Sequence, residues 1–170
     1  MNKILYAFAL AGVLGLSSCS DFLDQTSPSE MTAENTYASP YYTNLRVNKL
    51  YGGMAQDRTY AQDLSIVWNL NSDCELIDGL GSNATNTSSE RGNMNYNMDP
   101  GWSKISGVWD AEYGIIEDAN QIIEGIRSSA TFTAGGTNQK SMERSLGEAL
   151  TIRAMVYFDL VRIFGDIPFK

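Results

Sequence analysis

Apolar residues return at three- and four-residue steps over two long stretches of the chain. In the first, Ile105, Val108, Trp109, Ile115, Ile116, Ala119, Ile122, Ile123 and Ile126 fall on one side of a helical net, with Asp110, Glu112, Glu117 and Asp118 largely off that stripe. The second runs Leu146, Ala149, Leu150, Arg153, Ala154, Tyr157, Phe158, Val161 and Phe164. Ser141 can cap it, and Gly165 with Pro168 behind it stops it. The polar break "SSATFTAGGTNQ" between the two stretches predicts a helical hairpin. Ser39 and Pro40 read as the N-cap and first residue of a shorter helix carrying Leu45, Leu50, Tyr51 and Met54, weakened at Gly52 and Gly53. From Ala55 to Gly101 no period survives, and clusters of Asn, Ser, Gly and Asp predict a long irregular excursion. Inside a compact domain such a stretch is uncommon unless it is functional or disordered. The fold class expected is mostly α, built of helical hairpins with long irregular loops.

The amino-terminal run is a different kind of apolar stretch. Lys3 precedes an apolar segment from Ile4 to Leu16, and Ser17, Ser18, Ser20 and Asp21 end it too early for the roughly 20 apolar residues a bilayer span needs. It reads as a secretory signal. Leu16-Ser17-Ser18-Cys19 resembles a bacterial lipobox, so residues 1–18 are expected to be removed and Cys19 to be acylated, with 19–36 a polar linker and 37–170 the folded domain. Several acyl chains, each contributing about 0.8 kcal/mol per buried CH₂, would hold the protein permanently on a membrane. Asp21 and Asp24 directly after the cysteine resemble the surface-export signal of some Gram-negative lipoproteins, which points outward from the cell. The alternative is an ordinary secreted chain that pairs Cys19 with Cys74. If Cys19 is lipidated, Cys74 is a lone thiol with nothing basic beside it in "NSDCELID", and a buried small side chain is its expected role.

Charge and composition narrow the chemistry. Twelve basic residues against 20 acidic ones give a net charge of −8, which argues against a nucleic-acid partner, since phosphate backbones are bound by Lys and Arg. There is no histidine, so the commonest general base and most zinc sites are missing. Carboxylate pairs such as Asp73 with Glu75, or Asp110 with Glu112, are the remaining mainstream catalytic option, but nothing in the sequence fixes the spacing of about 5 to 9.5 Å that a glycosidase requires. Asn71, Asp73, Glu75 and Asp78 alternate like oxygen ligands, yet the glycine and distal glutamate of an EF-hand are not in place, and no metal is expected.

"VWDAEYGIIEDANQIIEGI" from Val108 to Ile126 and "GEALTIRAMVYFDLVRIFGDIPF" from Gly147 to Phe169 resemble the amino-terminal domain of SusD/RagB-like outer-membrane nutrient-uptake lipoproteins. Trp109, Tyr113, Asn120, Arg153, Tyr157 and Phe158 carry the likeness, and "CSDFLD" after the apolar leader agrees with it. The resemblance implies a tetratricopeptide-like scaffold without catalytic activity or cofactor. It would be lipid-anchored on the outer membrane and facing outward, capturing glycans and passing them to a TonB-dependent SusC-like transporter. Family members run to several hundred residues, so a site completed by a carboxy-terminal part would be incomplete in these 170 residues. The motif residues Trp109, Tyr113, Ile116, Asn120 and Ile123 lie at steps of four, three, four and three, which is also what plain core packing requires. Arg153, on an apolar face, is expected to pair with a carboxylate such as Glu148 or Asp166. For glycan contact, Trp68, Asn69, Asp73, Tyr96 and Trp102 offer flat rings and hydrogen-bonding groups in a polar stretch, as do Asn71, Asn95 and Asn97. Three alternatives stay open: rings that plug the loop onto the helices, capture of peptide or another nutrient, and a structural module that binds only a protein partner.

Overall fold

A computed structural model describes residues 31–69, 72 and 101–169. Secondary structure among these residues is entirely helical: α1 (Ala33–Ala38), α2 (Pro40–Met54), a π-type turn (Asp57–Ala61), α3 (Asp63–Asn69), α4 (Ser103–Ser128), α5 (Ala130–Thr133) and α6 (Gly136–Phe164). The mostly α architecture expected from the periodicity is the observed one. No helix among the described residues is long and apolar enough to cross a membrane.

The helices start and stop where local chemistry dictates. Ser39 is extended and Pro40 opens α2, while the Ser39 carbonyl accepts both the backbone N–H and the hydroxyl of Thr43 at 3.0 Å. Gly52 and Gly53 stay inside α2, because a Cβ at Gly53 would stand 3.0 Å from Ile115 Cγ1; the missing side chain lets α2 lie close to α4. Gly165, at φ 75°, closes α6 as expected, donating to the Val161 carbonyl at 3.0 Å.

α4 and α6 run antiparallel, as three links between them show. Trp109 meets Phe164 edge-on at 4.9 Å, Glu112 feels the charge of Asp159, and Arg153 donates to Asn120 at 2.7 Å. Their facing stripes form the main core: Ile116, Ile122 and Ile126 from α4 meet Met142, Val156 and Leu160 from α6, with Val47 and Leu50 of α2 laid over the seam. Each such side chain, taken fully out of water, contributes about 1.5–3 kcal/mol.

The structure corrects the sequence reading in three places. α6 begins at Gly136, not Ser141, and the break before it holds α5 and the reversal at Gly135 and Gly136 (φ 82° and 80°). The buried face of α6 is Met142, Ser145, Ala149, Ile152, Val156, Tyr157, Asp159 and Leu160, so Ala149 and Tyr157 are buried as the spacing predicts, whereas Ala154, Phe158 and Val161 are exposed. The predicted stripe is thus turned about the helix axis. Finally, Asp57–Asn69 is ordered into helical turns rather than loop. There Leu64 and Val67 join Val108 and Trp102 in a second apolar cluster, edged by Tyr60, Trp68 and Ile163.

Candidate functional site

The second cluster is where polar chemistry collects. α2 ends at Met54, and the chain kinks at Thr59 (φ −120°, ψ −126°), whose buried hydroxyl lies within 2.7 to 2.9 Å of the Gly53, Met54 and Gln56 carbonyls. The Gly53 and Met54 carbonyls are among the last of α2 and that of Gln56 lies just beyond it, and Thr59 supplies them with a donor from the side. This kink aims Tyr60 inward and sets α3 on the hairpin. Lys104 then holds α3 from α4, donating to Asp63 at 2.7 Å with both side chains largely withdrawn from water.

Beneath α3, Tyr60 donates a short hydrogen bond to Asp159, which is 3% exposed. Glu112, at 0% exposed, lies within electrostatic reach of Asp159, and neither of its carboxyl oxygens finds a hydrogen-bond partner among the described residues. Burial and then the charge of Asp159 push the Glu112 carboxyl up to about 8, so it is a neutral acid at pH 7. Burial also raises Asp159, against the lowering effects of the Tyr60 hydroxyl and the Arg162 guanidinium, and raises Tyr60.

Above this buried pair lies a surface of different character. The Arg162 guanidinium sits 4.9 Å from the Trp68 ring centre and 5.3 Å from that of Phe158, which is 61% exposed. Met155 and Val161 extend this apolar surface along α6. Trp68 is half-buried, and its indole N–H has no acceptor among the described residues. The patch offers two aromatic faces joined by a cation, suited to stacking and to charge-assisted hydrogen bonds. A separate cleft of about 310 Å³ between α2 and α6 is lined by Tyr41, Asn44, Ser141, Arg144 and Glu148.

Of the residues named from sequence for ligand contact, Trp68 lies at this patch. Asn69 is exposed beside it, with its carbonyl accepting the Ser72 hydroxyl at 2.7 Å. Trp102 is 7% exposed and packs within the second cluster. Asp73 and Tyr96, like Cys19, Asn71, Cys74, Glu75, Asp78, Asn95 and Asn97, lie outside the described residues.

The motif residues other than Phe158, which is exposed, gather on the hairpin seam. Trp109 leans on Tyr113 at 4.8 Å, the Tyr113 hydroxyl donates to the Pro168 carbonyl at 2.7 Å, and Tyr157 stacks on Phe169 at 4.7 Å, so these rings clasp residues 165–169 onto the hairpin. Arg153 meets the Asn120 amide oxygen instead of the expected carboxylate, because Glu148 is engaged by Arg144 and the Tyr51 hydroxyl. Asp110 is exposed while Glu112 is buried, so this pair does not flank a common cleft. Among the described residues no group of three or more Cys, Asp or Glu side chains could hold a metal.

Sequence reasoning missed Tyr60 and Asp159, and it placed Glu112 off the apolar stripe, as a partner of Asp110, where the structure buries it. Glu112 does fall on the α4 stripe, four residues after Val108 and four before Ile116. That register is the available signal for a buried acid.

Comparison with known proteins places the chain in context. A SusD-like family profile, described as starch-binding and associating with the outer membrane, matches residues 21–170. The chain is 27% identical over 172 residues to SusD-like protein P2 of Formosa agariphila and 23% identical over 177 residues to SusD-like protein P25 of the same organism. Each match covers 99% of this chain and 31% of the relative, so the chain spans about a third of the length of these curated relatives. A SusD-like protein of Bacteroides ovatus is 30% identical over 63 residues, 37% of this chain and 11% of that protein. No solved structure matches.

Proposed function

The chain belongs to the SusD-like family, and from that premise we propose that it forms the amino-terminal part of a non-enzymatic, outer-membrane-associated lipoprotein that captures glycan. The observation that carries this reading is the surface patch of half-buried Trp68, Arg162 and exposed Phe158. The C–H face of a pyranose stacks on flat apolar rings, and its hydroxyls take hydrogen bonds from a fixed guanidinium; a few such groups on a rigid support make a sugar subsite. The support here is the buried side of α6 and α3. Residues 1–18 would be the cleaved leader, Cys19 the acylated anchor, 19–36 the spacer and 37–170 the folded part, with delivery to a TonB-dependent SusC-like transporter as the outcome of capture.

Starch oligosaccharides and a wider glycan panel, titrated calorimetrically into the full-length protein, test this. Trp68→Ala and Phe158→Ala should each weaken binding about tenfold or more, the size of a ring that anchors a ligand. Tyr41→Ala, in the separate α2–α6 cleft, should leave affinity unchanged. No binding across the panel, or unchanged affinity in Trp68→Ala, overturns the assignment. Mass spectrometry of membrane extracts tests the anchor at Cys19, and co-purification with an outer-membrane barrel tests the partner.

A further inference from the structure

We infer that Glu112, fully buried near Asp159 with both carboxyl oxygens unpartnered among the described residues, is a proton-dependent latch fastening the Asp57–Asn69 segment to the α4/α6 hairpin. Losing its proton would place a second buried negative charge beside Asp159 and free the segment.

The geometry leaves few other ways to satisfy this carboxyl. Glu112 is fully buried and Asp159 nearly so, and the two come from the facing helices α4 and α6. No neighbouring element gives Glu112 a hydrogen bond or an ion pair among the described residues. From the π-type turn, Tyr60 donates to Asp159, and Arg58 lays its side-chain carbons along Gly107. From α3, Asp63 is tied to Lys104 of α4. From α6, Arg162 rests on Trp68 and Phe158. From α2, Arg46 and Lys49 sit with Asp118, well along α4. None of these cations forms an ion pair with Glu112 among the described residues. An ionised Glu112 would therefore lie desolvated against Asp159, the most costly arrangement a carboxylate can meet. A proton is the smallest counter-charge and needs no cavity.

The same neighbourhood contains the part that can move. Residues 57–69 join α2 through a non-helical kink at Thr59, and they reach the hairpin through Tyr60, Asp63, Trp68 and the small second cluster. Water can enter at Glu112 if these contacts part, while the main core between α4 and α6 stays closed. In the open form Glu112 returns to an ordinary carboxylate, with a pKa near 4.5, against about 8 when closed. Protons thus bind the closed form more tightly, and opening grows as pH rises between those limits, flattening above them. Because Trp68 rides on this segment, pH would also set the shape of the proposed sugar patch; that consequence alone rests on the reading given above.

Hydrogen exchange of the full-length protein, followed by mass spectrometry without any ligand, decides the matter. After correction for the intrinsic pH dependence of exchange, peptides from 57–69 should lose protection by roughly tenfold per pH unit between about pH 6 and about pH 8. Peptides from 115–126 should stay protected. Glu112→Gln, an uncharged isostere, should flatten the dependence. Asp159→Asn, which removes the neighbouring charge, should move its upper limit to lower pH and also serves if Glu112→Gln fails to fold. A flat profile in the wild-type protein overturns the latch. So does an unchanged slope in a folded Glu112→Gln protein, or an unmoved upper limit in Asp159→Asn.

Discussion

Alanine placed at two glycines of the same helix should have opposite effects. Gly125 and Gly114 both lie inside α4, where glycine costs about 1 kcal/mol relative to alanine through lost backbone entropy. At Gly114 a Cβ would meet nothing within 4 Å, so Gly114→Ala should stabilise the fold by about 0.5–1 kcal/mol. At Gly125 the new carbon would fall among the ring atoms of Tyr37, with even Cζ only 2.6 Å away. The buried ring must leave, forfeiting about 1.5–3 kcal/mol of apolar burial. With it α1 loosens, together with the hydrogen bonds from the Ser129 hydroxyl to the Tyr37 carbonyl (2.6 Å) and from the Thr131 hydroxyl to the Ala38 carbonyl (2.8 Å), each worth about 1 kcal/mol. After the gain in helix propensity, Gly125→Ala should be destabilised by about 2.5–4 kcal/mol. Urea unfolding followed by circular dichroism, with unchanged m-values, reads both shifts; by melting, each kcal/mol moves the midpoint by roughly 2–4 °C. In a Tyr37→Ala background the clash disappears, and Gly125→Ala should then be neutral or stabilising. If Gly125→Ala matches Gly114→Ala in the wild-type background, Tyr37 does not pack on Gly125 and the docking of α1 described here is wrong.

Two further predictions concern buried polar links. Arg153→Ala and Asn120→Ala should each lower stability by about 1–2 kcal/mol without weakening the proposed glycan binding. Their double mutant should cost less than the sum, because they lose the same 2.7 Å bond; additive effects or lost binding with unchanged melting would contradict this. Tyr60→Phe strips the donor from buried Asp159 and should cost about 1–3 kcal/mol at neutral pH. Since that bond lowers Asp159 while burial raises it, removal lifts its pKa further. The penalty should therefore be largest where Asp159 is ionised and shrink on acidification towards about pH 4, so a cost independent of pH in chemical denaturation would refute it.

How far the sequence could be read depended on how sharply each helix divides into faces. α4 was legible because its isoleucines form one narrow stripe, and Val108, Ile115, Ile116, Ala119, Ile122, Ile123 and Ile126 are buried as the spacing predicts. α6 was not, because apolar residues cover more than half its circumference. Met155, Phe158 and Val161 compete with Ile152, Val156 and Leu160, and periodicity alone cannot choose between them; the structure buries the second set together with Asp159 and Ser145. Asp57–Asn69 hid for another reason. It is too short to show a period, and its order comes from Thr59, the Asp63–Lys104 pair and a cluster completed by Trp102 and Val108, partners about 40 residues further on. Of the candidate contact residues, Trp68 was named by type alone. Of the acids beneath it, Asp159 was overlooked and Glu112 was placed off the stripe, because a carboxylate beside apolar positions is ordinarily taken for a solvated edge.

The order in which these helices are synthesised bears on how the protein reaches its native state. Within residues 33–69, Val47, Leu50, Leu64 and Val67 share their apolar clusters with residues of α4 and α6, which are made later. This segment therefore completes its packing only after α4 and α6 have left the ribosome. The α4/α6 hairpin, whose contacts are close in sequence, is the natural nucleus onto which the older segment later condenses.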